Sequence, residues 1–235
     1  MAATRLPGKP LLKINNLSII SHVFKRAEEA KIGEVVVATE DQKILEDVIK
    51  NGGRGILTSS NHKTGTDRIF EAYKKLDIKN VDYVLNLQGD EPNIDKNDII
   101  SLNNFMINNN SEIGTLAATI QDDKIANNKN VVKVITGKKL EKNNFPTALN
   151  FTRDNLSKNN SNIYHHIGIY SYKTSILEKF VSLAQTTNEI ENKLEQLRAL
   201  DNKLKINVAL AKSSPIGIDT EEDYLAIKKI MEYKS

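Results

Sequence analysis

The sequence of 235 residues contains no cysteine, only five prolines and no long apolar run. Without cysteine, the chain forms no disulfide framework and has no thiolate for catalysis or metal binding. No uninterrupted apolar segment approaches the roughly 20 residues that a membrane-spanning helix needs. Met1 is not followed by a signal-peptide pattern. We therefore expect a cytoplasmic protein with no membrane partner.

Charge and short motifs exclude several further classes. The net charge is only +3 and the basic residues are spread along the chain, which gives no reason to expect a nucleic-acid partner. With four histidines and no H-E-x-x-H motif, a zinc site is disfavoured. The sequence also has no G-x-S-x-G motif of serine hydrolases and no G-x-x-x-x-G-K-[ST] motif of P-loop proteins.

Periodicity in the first half of the chain predicts strands that alternate with helices. The predicted helices cover residues 18–30, 41–50 and 66–76, and the predicted strands cover residues 34–38, 55–57 and 83–85. Asp41 and Thr66 are the predicted N-caps of the second and third helices. This alternation is typical of a parallel, doubly wound α/β sheet.

The pattern changes after about residue 111. Strand-like segments at residues 115–119, 131–135, 147–151 and 167–170 follow one another with few helices between them. We expect mixed or antiparallel pairing there. Helices are then predicted over residues 174–183 and 189–201, a strand over 206–209, and a last helix from Glu221, which Thr220 can cap.

The segment 86–92 (NLQGDEP) places polar groups directly after an apolar strand. In open α/β sheets, the carboxyl edge of the strands is where ligands bind. Asp90 and Glu91 are not explained by packing, because unpaired carboxylates are costly to bury. We interpret this segment as part of a site.

Two cations lie in loops that suit anions. Arg5 and Lys9 flank a glycine in RLPGK (5–9), and such a loop can bring backbone N–H groups and positive charge to phosphates. The alternative is a solvated basic turn. Arg68 lies in the first turn of a predicted helix, where the helix dipole disfavours a cation. We therefore interpret Arg68 as an anion ligand.

Asp90 and Asp219 follow separate strand-like segments close to glycines. If they converge, two carboxylates with open coordination positions suit Mg²⁺, which keeps waters and often shares phosphate oxygens with a substrate. For Asp219, simple helix capping is the alternative. His165 and His166 precede an apolar strand, and neighbouring residues of a strand point to opposite faces, so at most one of them faces a shared site.

Six motifs occur in the order that is typical of one enzyme family: RLPGKP (5–10), HKTGTDR (62–68), NLQGDEP (86–92), HIGIY (166–170), LEQLR (194–198) and GIDT (217–220). The chain resembles the 3-deoxy-manno-octulosonate (Kdo) cytidylyltransferases, also called CMP-Kdo synthetases, over nearly its whole length. The combination of QGDEP and LEQLR is specific to that family among nucleotidyltransferases. The resemblance implies a Rossmann-like, GT-A-like α/β fold, a three-layer sandwich with a mixed sheet.

The resemblance also implies a reaction in which CTP and Kdo give CMP-Kdo and pyrophosphate for lipopolysaccharide biosynthesis. By motif, Arg5 and Lys9 bind the triphosphate, and Asp90 and Asp219 hold Mg²⁺, the expected cofactor. These four residues are the implied catalytic set. The implied sugar-acid contacts are Arg68, Gln88, Arg153, His166, Glu195 and Gln196.

For the organisation of the chain, the resemblance implies one nucleotidyltransferase domain over residues 1–235. Residues 1–110 form the nucleotide-binding half, and residues 111–235 form the half that binds the sugar acid and pairs in a homodimer. The family normally begins with a strand and a Pro-Ala-Arg turn before the loop of Arg5. Since Met1 and Ala2 stand where that turn has already passed, we expect the N-terminal strand to be missing from the sequence as given.

Two alternatives remain open at this point. The chain could activate a related sugar acid, such as 8-amino-Kdo or a nonulosonate, with the same triphosphate residues and a different sugar pocket. It could also be a truncated, non-catalytic protein that binds a nucleotide. Activity with a panel of sugar acids tests the first alternative, and the second predicts CTP binding without release of pyrophosphate.

Overall fold

The computed structural model describes residues 6–120, 123–154, 162–215 and 217–233. The helices are α1 (Ile19–Ala30), α2 (Gln42–Lys50), α3 (Gly65–Leu76), α4 (Lys96–Asn109), α5 (Asp123–Asn127), α6 (Thr174–Ser182), α7 (Thr187–Asn192), α8 (Leu197–Asp201) and α9 (Glu221–Tyr233). The strands are β1 (Lys13–Ile14), β2 (Leu17–Ser18), β3 (Val37–Thr39), β4 (Gly55–Leu57), β5 (Tyr83–Leu87), β6 (Ile113–Ala118), β7 (Lys133–Thr136), β8 (Ala148–Thr152), β9 (Ile163–Lys173) and β10 (Ile206–Leu210). In the part of the chain that is described, no helix has the length and hydropathy to cross a bilayer.

The chain forms two compact units. The first comprises Met1–Lys79, Leu87–Ile100 and Pro215–Ser235, and the second comprises Asn80–Asn86 and Ser101–Ser214. Helix α9 therefore belongs to the first unit, whereas the division at residue 110 places it in the second half. The prediction of a single domain with two halves stays a prediction.

In the first unit, the hairpin of β1 and β2 packs against the C-terminal helix. Its turn residues Asn15 and Asn16 have φ angles of 47° and 63°, as a two-residue hairpin turn with a right-handed twist requires. The side chains of Ile14, Ile19, Ile218 and Ile227 form a buried cluster beneath this hairpin. Sequence positions near both ends of the chain are thus held in one apolar core.

The other elements of the first unit follow the sequence prediction in type and order. Strands β3 and β4 pair in parallel, and Asp41 caps α2 by accepting from the backbone N–H of Lys43. The predicted cap of α3 is wrong by two residues. Thr64, and not Thr66, accepts the backbone N–H of Asp67 at 3.2 Å, while Thr66 is buried inside the helix.

The second unit is built on a mixed sheet, as predicted. Its strand order is β10-β6-β9-β7-β8, and β5 pairs with β9. Strand β10 runs parallel to β6, whereas β9 runs antiparallel to both β6 and β7. The register between β6 and β9 shifts because Thr115 pairs with Tyr170 and Leu116 with Ile167, so two extra residues of β9 form a bulge.

The single helix predicted over residues 189–201 is wrong. Helix α7 ends because Lys193 takes a left-handed conformation, with φ of 54°. The backbone N–H of Leu194 then donates to Glu189 O at 3.2 Å, and the chain turns before α8 begins. Apolar residues continue at helical spacing across this turn, and for that reason the sequence predicted a single helix.

Gly114 provides a test of how closely the second unit is packed. A Cβ atom at this position in β6 lies 2.4 Å from Met106 Sδ and 2.9 Å from Phe145 Cζ. We expect Gly114→Ala to lower the free energy of unfolding by about 1–3 kcal/mol through overpacking, measured by urea denaturation. Gly33→Ala is the control, because a Cβ there has nothing within 4 Å. An equal response of the two variants would contradict the packing argument.

Candidate active site

A tight turn positions Lys9 in the first unit. Gly8 has a φ of 70°, a backbone conformation that residues with a side chain rarely adopt. It precedes a short 3-10 helix over Lys9–Leu11. The backbone N–H of Leu11 donates to Gly8 O at 2.9 Å, and the N–H of Lys9 donates to Leu6 O at 3.2 Å. A glycine suits this position because a φ of 70° is strained for a residue with a side chain.

The Lys9 ammonium lies between two carboxylates. Its Nζ atom is 2.9 Å from Asp90 Oδ2 and 3.4 Å from Asp219 Oδ1. The loops that carry the two aspartates are joined by a backbone hydrogen bond, since the N–H of Ile218 donates to Asp90 O at 3.0 Å. The predicted convergence of Asp90 and Asp219 is therefore present in the first unit.

Asp219 does not cap the helix that follows it. Thr220 does this, because its Oγ1 accepts from the N–H of Asp223 at 3.2 Å, while Asp223 Oδ2 accepts from the N–H of Thr220 at 2.9 Å. The Asp219 carboxylate is thus available for the contact with Lys9. Helix capping therefore accounts for Thr220. It does not account for Asp219, whose side chain contacts Lys9 instead.

The two carboxylates fit a magnesium ion. The side chains of Asp90 and Asp219 are 29% and 49% exposed, whereas that of Lys9 is 12% exposed, so the two carboxylates are partly open to solvent. Within the described ranges, no cluster of three or more acidic, histidine or cysteine side chains suits a metal. One or two carboxylates, completed by water and phosphate oxygens, is the ordinary donor set for Mg²⁺.

Arg68 is engaged within the first unit. Its guanidinium pairs with the Glu40 carboxylate and donates to Thr58 Oγ1 at 2.7 Å. A third bond reaches Ser59 O at 3.3 Å. The structure thus gives Arg68 a role in holding the loop after β4, and a role in anion binding stays a prediction.

Two other predicted residues of the first unit are less defined. Arg5 lies outside the described residues. Gln88 is exposed and directly follows β5, next to the turn that carries Asp90. Its place at the end of the strand matches the prediction, and its proposed contact with a sugar acid is not tested by the structure.

In the second unit, His166 is buried on β9 beside Thr115. Its Nε2 atom is 3.1 Å from Thr115 Oγ1, and that hydroxyl is 2.7 Å from Ile169 O. The single hydroxyl proton goes to the closer carbonyl oxygen, so Nε2 carries a proton and donates to Thr115. Nδ1 then holds a lone pair. His165 instead contacts Ser214, with Nδ1 2.9 Å from its Oγ, as adjacent strand positions predict.

Burial decides the charge of His166. Burial first, and then the neighbouring His165 and Arg153, lower the pKa of His166 to about 3. The imidazole is therefore neutral at neutral pH and cannot supply a positive charge. It can accept a hydrogen bond at Nδ1, which suits a hydroxyl-rich ligand.

Arg153 is supported by a lysine that the sequence analysis missed. Arg153 Nη1 donates to Asn130 O at 2.7 Å, and the buried Lys133 donates to Asn128 O at 2.8 Å and to Arg153 O at 3.2 Å. Burial, followed by the charge of Arg153, lowers the pKa of Lys133, although Asp154 opposes this. A lysine within the apolar run 131–135 was the signal that could have identified it.

Glu195 and Gln196 lie in the turn between α7 and α8. Gln196 is buried and Glu195 is half-buried. Burial, then Tyr172 and Glu195, raise the pKa of Tyr170, so the Glu195 carboxylate acts on a ring that lies 5.3 Å from His166 between centroids. Glu195 thus acts electrostatically on Tyr170 and Arg153 acts on the neighbouring His166.

The chain is similar to known proteins over most of its length. Residues 1–206 match the model of a cytidylyltransferase family. The 3-deoxy-manno-octulosonate cytidylyltransferase of Bartonella bacilliformis is 40% identical over 98% of this chain and 95% of that protein. The enzyme of that name from Thermodesulfovibrio yellowstonii is 44% identical over 97% of this chain and 94% of its own length.

A solved structure shows the same fold. A CMP-2-keto-3-deoxy-manno-octonic acid synthetase in complex with CTP superimposes with a TM-score of 0.88 and 31% identity, over 99% of this chain and 95% of that one. An apo UDP-glucose pyrophosphorylase, 14% identical with a TM-score of 0.73, shares the fold. The predicted Rossmann-like nucleotidyltransferase fold is confirmed.

The protonation of His166 is directly measurable. Its pKa is about 3 in the folded chain and 6.5 in the unfolded chain, so the unfolded state binds more protons between these values. This contribution to stability is complete above about pH 6.5 and is lost as the pH falls towards 3. We expect no titration of the His166 ring between about pH 5 and 8 by NMR, with His166→Gln identifying the resonance. A midpoint in that range would refute the buried neutral state.

Proposed function

The chain belongs to the 3-deoxy-manno-octulosonate cytidylyltransferase family, and from this we propose that it transfers CMP from CTP to Kdo and releases pyrophosphate. The single observation that carries the proposal is the cluster of Lys9, Asp90 and Asp219. A family relative with CTP bound shares the fold over nearly the whole chain. The product serves lipopolysaccharide biosynthesis, and we place the reaction in the cytoplasm because CTP is a cytoplasmic metabolite.

In this reaction, the anomeric hydroxyl of Kdo attacks the α-phosphorus of CTP and the bond to the β-phosphate breaks. Catalysis then consists mainly of alignment and charge neutralisation. Lys9, and Arg5 by its motif, bind the triphosphate and offset the charge of the leaving pyrophosphate. Lys9 is suited to this because its Nζ already lies in an anionic site and its stem is largely covered.

Asp90 and Asp219 would hold Mg²⁺. When bound, this ion supplies positive charge at the α-phosphate and at the sugar acid. The two carboxylates would bind and orient it, and the hydrogen bond between Ile218 N and Asp90 O keeps their loops together. The Lys9 ammonium, which lies beside the same oxygens, would add its positive charge at this site.

Kdo carries one carboxylate and many hydroxyls, so its site needs a cation and several hydrogen-bonding groups. Arg153 supplies a guanidinium, which suits a carboxylate. His166 offers the neutral Nδ1 acceptor described above. The other proposed contacts are Arg68, Gln88, Glu195 and Gln196.

The proposal predicts the effect of removing each charge of the cluster. Asp90→Asn, Asp219→Asn and Lys9→Gln should each lower kcat/KM for CTP by at least about 100-fold, measured by pyrophosphate release with CTP, Kdo and Mg²⁺. The reason is that each variant removes a charge that acts on the reacting phosphates. Without added divalent cation, the wild-type rate should fall to background.

Asp82→Asn is the matched control, because Asp82 is an exposed aspartate just before β5. It should leave the rate unchanged. Full turnover by Asp90→Asn with Mg²⁺ would contradict its role as a metal ligand. Turnover with 8-amino-Kdo or a nonulosonate but not with Kdo would show that the substrate is the related sugar acid. CTP binding without pyrophosphate release would show that the protein is not a catalyst.

We also propose a homodimer that forms through the second unit. Leu149 on β8, the last strand in the sheet order, is 62% exposed, and an exposed apolar side chain on an edge strand favours association with another chain. Light scattering should give twice the chain mass of 26.3 kDa, and Leu149→Glu should shift the protein towards monomer. Leu225→Glu on α9, where Leu225 is 56% exposed, should not. A wild-type monomer would refute the dimer.

A further inference from the structure

The second unit contains a buried ion pair that the proposed reaction does not use. Arg198 and Glu189 side chains are only 2% and 3% exposed. Arg198 Nε donates to Glu189 Oε2 at 2.8 Å, and Nη2 donates to Oε1 at 2.6 Å. This two-bond arrangement fixes the guanidinium in direction as well as in distance.

The Glu189 carboxylate is held from its other side by the chain before it. Gln185 Nε2 donates to Oε1 at 3.0 Å, and Glu189 forms a capping box with Thr186 at the start of α7. Burial raises the pKa of Glu189, but the hydrogen bonds from Arg198 and Gln185 outweigh it and the net pKa is lowered. Glu189 is therefore an ionised anchor at the beginning of a helix of only six residues.

The pair spans the turn that carries Glu195 and Gln196. Glu189 lies on α7 before the turn and Arg198 lies on α8 after it. The backbone N–H of Arg198 donates to Glu195 O at 3.1 Å. The residue that carries the buried guanidinium is therefore hydrogen-bonded through its own backbone to the turn of the two candidate sugar-acid residues.

A continuous series of rings joins Arg198 to His166. The Arg198 guanidinium lies 4.7 Å from the centroid of Phe180. Neighbouring ring centroids are separated by 5.8 Å between Phe180 and Tyr172, 6.0 Å between Tyr172 and Tyr170, and 5.3 Å between Tyr170 and His166. Aromatic contacts at these distances have preferred orientations. The Arg198 guanidinium is therefore connected to β9 through the rings, and Arg198 also lies directly after the α7–α8 turn.

We propose that the Glu189–Arg198 pair sets the position of Glu195 and Gln196 relative to His166, and so determines the affinity for the sugar acid. Arg198 is a positioning residue, because it acts through the turn and the ring series and does not touch the substrate. The inference rests on the proposed function for the identity of the ligand, Kdo.

A role in stability alone does not explain this pair. Buried ion pairs can often be replaced by apolar residues of similar volume with little loss of stability. What an apolar pair cannot reproduce is the direction of two parallel hydrogen bonds. The effect of the pair should therefore be found in substrate affinity more than in the melting temperature.

The experiment compares four proteins: wild type, Arg198→Lys, the double variant Glu189→Met with Arg198→Met, and Leu102→Ala. Arg198→Lys keeps the charge but loses the two-bond geometry, and the double variant removes both charges, so neither is left buried and unpaired. Leu102 is fully buried on α4, an element outside the turn, and its truncation to alanine lowers stability. Measurements are KM for Kdo, KM for CTP, kcat, Tm, and amide hydrogen exchange over residues 194–199.

We expect both Arg198 variants to raise KM for Kdo by about tenfold to 100-fold, to leave KM for CTP unchanged, and to speed exchange over residues 194–199. Leu102→Ala should lower Tm and leave KM for Kdo unchanged. A folded double variant with wild-type KM for Kdo and wild-type exchange would overturn the inference. If wild type shows no turnover with Kdo, the proposed function fails. The positioning role is refuted separately if amide hydrogen exchange over residues 194–199 is equally slow in wild type and in Arg198→Lys.

Discussion

The Lys9 ammonium lies between two carboxylates that the chain supplies 81 and 210 residues later. Two carboxylates this close repel each other and need a cation between them. The first unit is arranged to meet this requirement. Gly8 turns the chain at Lys9, a backbone hydrogen bond joins the loops of Asp90 and Asp219, and the apolar cluster beneath the hairpin holds the C-terminal segment beside the N-terminal one.

In the second unit, the unfavourable burial of charged groups is offset in three different ways. Glu189 and Arg198 neutralise each other with two parallel hydrogen bonds. Lys133 donates to two backbone carbonyls. His166 gives up its proton and becomes a neutral donor and acceptor. Each of these arrangements removes the cost of an unpaired buried charge and fixes the position of the side chains involved.

Local signals predicted much of the fold, because helix caps and apolar periods act within a few residues. Helix α2 and its cap Asp41 and strand β4 were predicted correctly. Errors arose where two neighbouring residues could both cap the same helix, or where the chain turned although apolar residues continued at helical spacing. Thr64 and Thr66 are both good caps, and the turn at Lys193 interrupts a helical pattern that the sequence continues. The strand predicted at residues 34–38 lies at Val37–Thr39.

The sequence by itself determined the family, the mixed α/β class and the identity of Lys9, Asp90 and Asp219 as charged groups in loops, since motif order and residue type are written in the chain. Tertiary structure alone decided which of these charges meet. The contact of Arg68 with Glu40, the support of Arg153 by Lys133 and the protonation of His166 all depend on partners distant in sequence or on burial. Hydrogen bonding and desolvation act through space, and their strength is set only once the surrounding chain has folded.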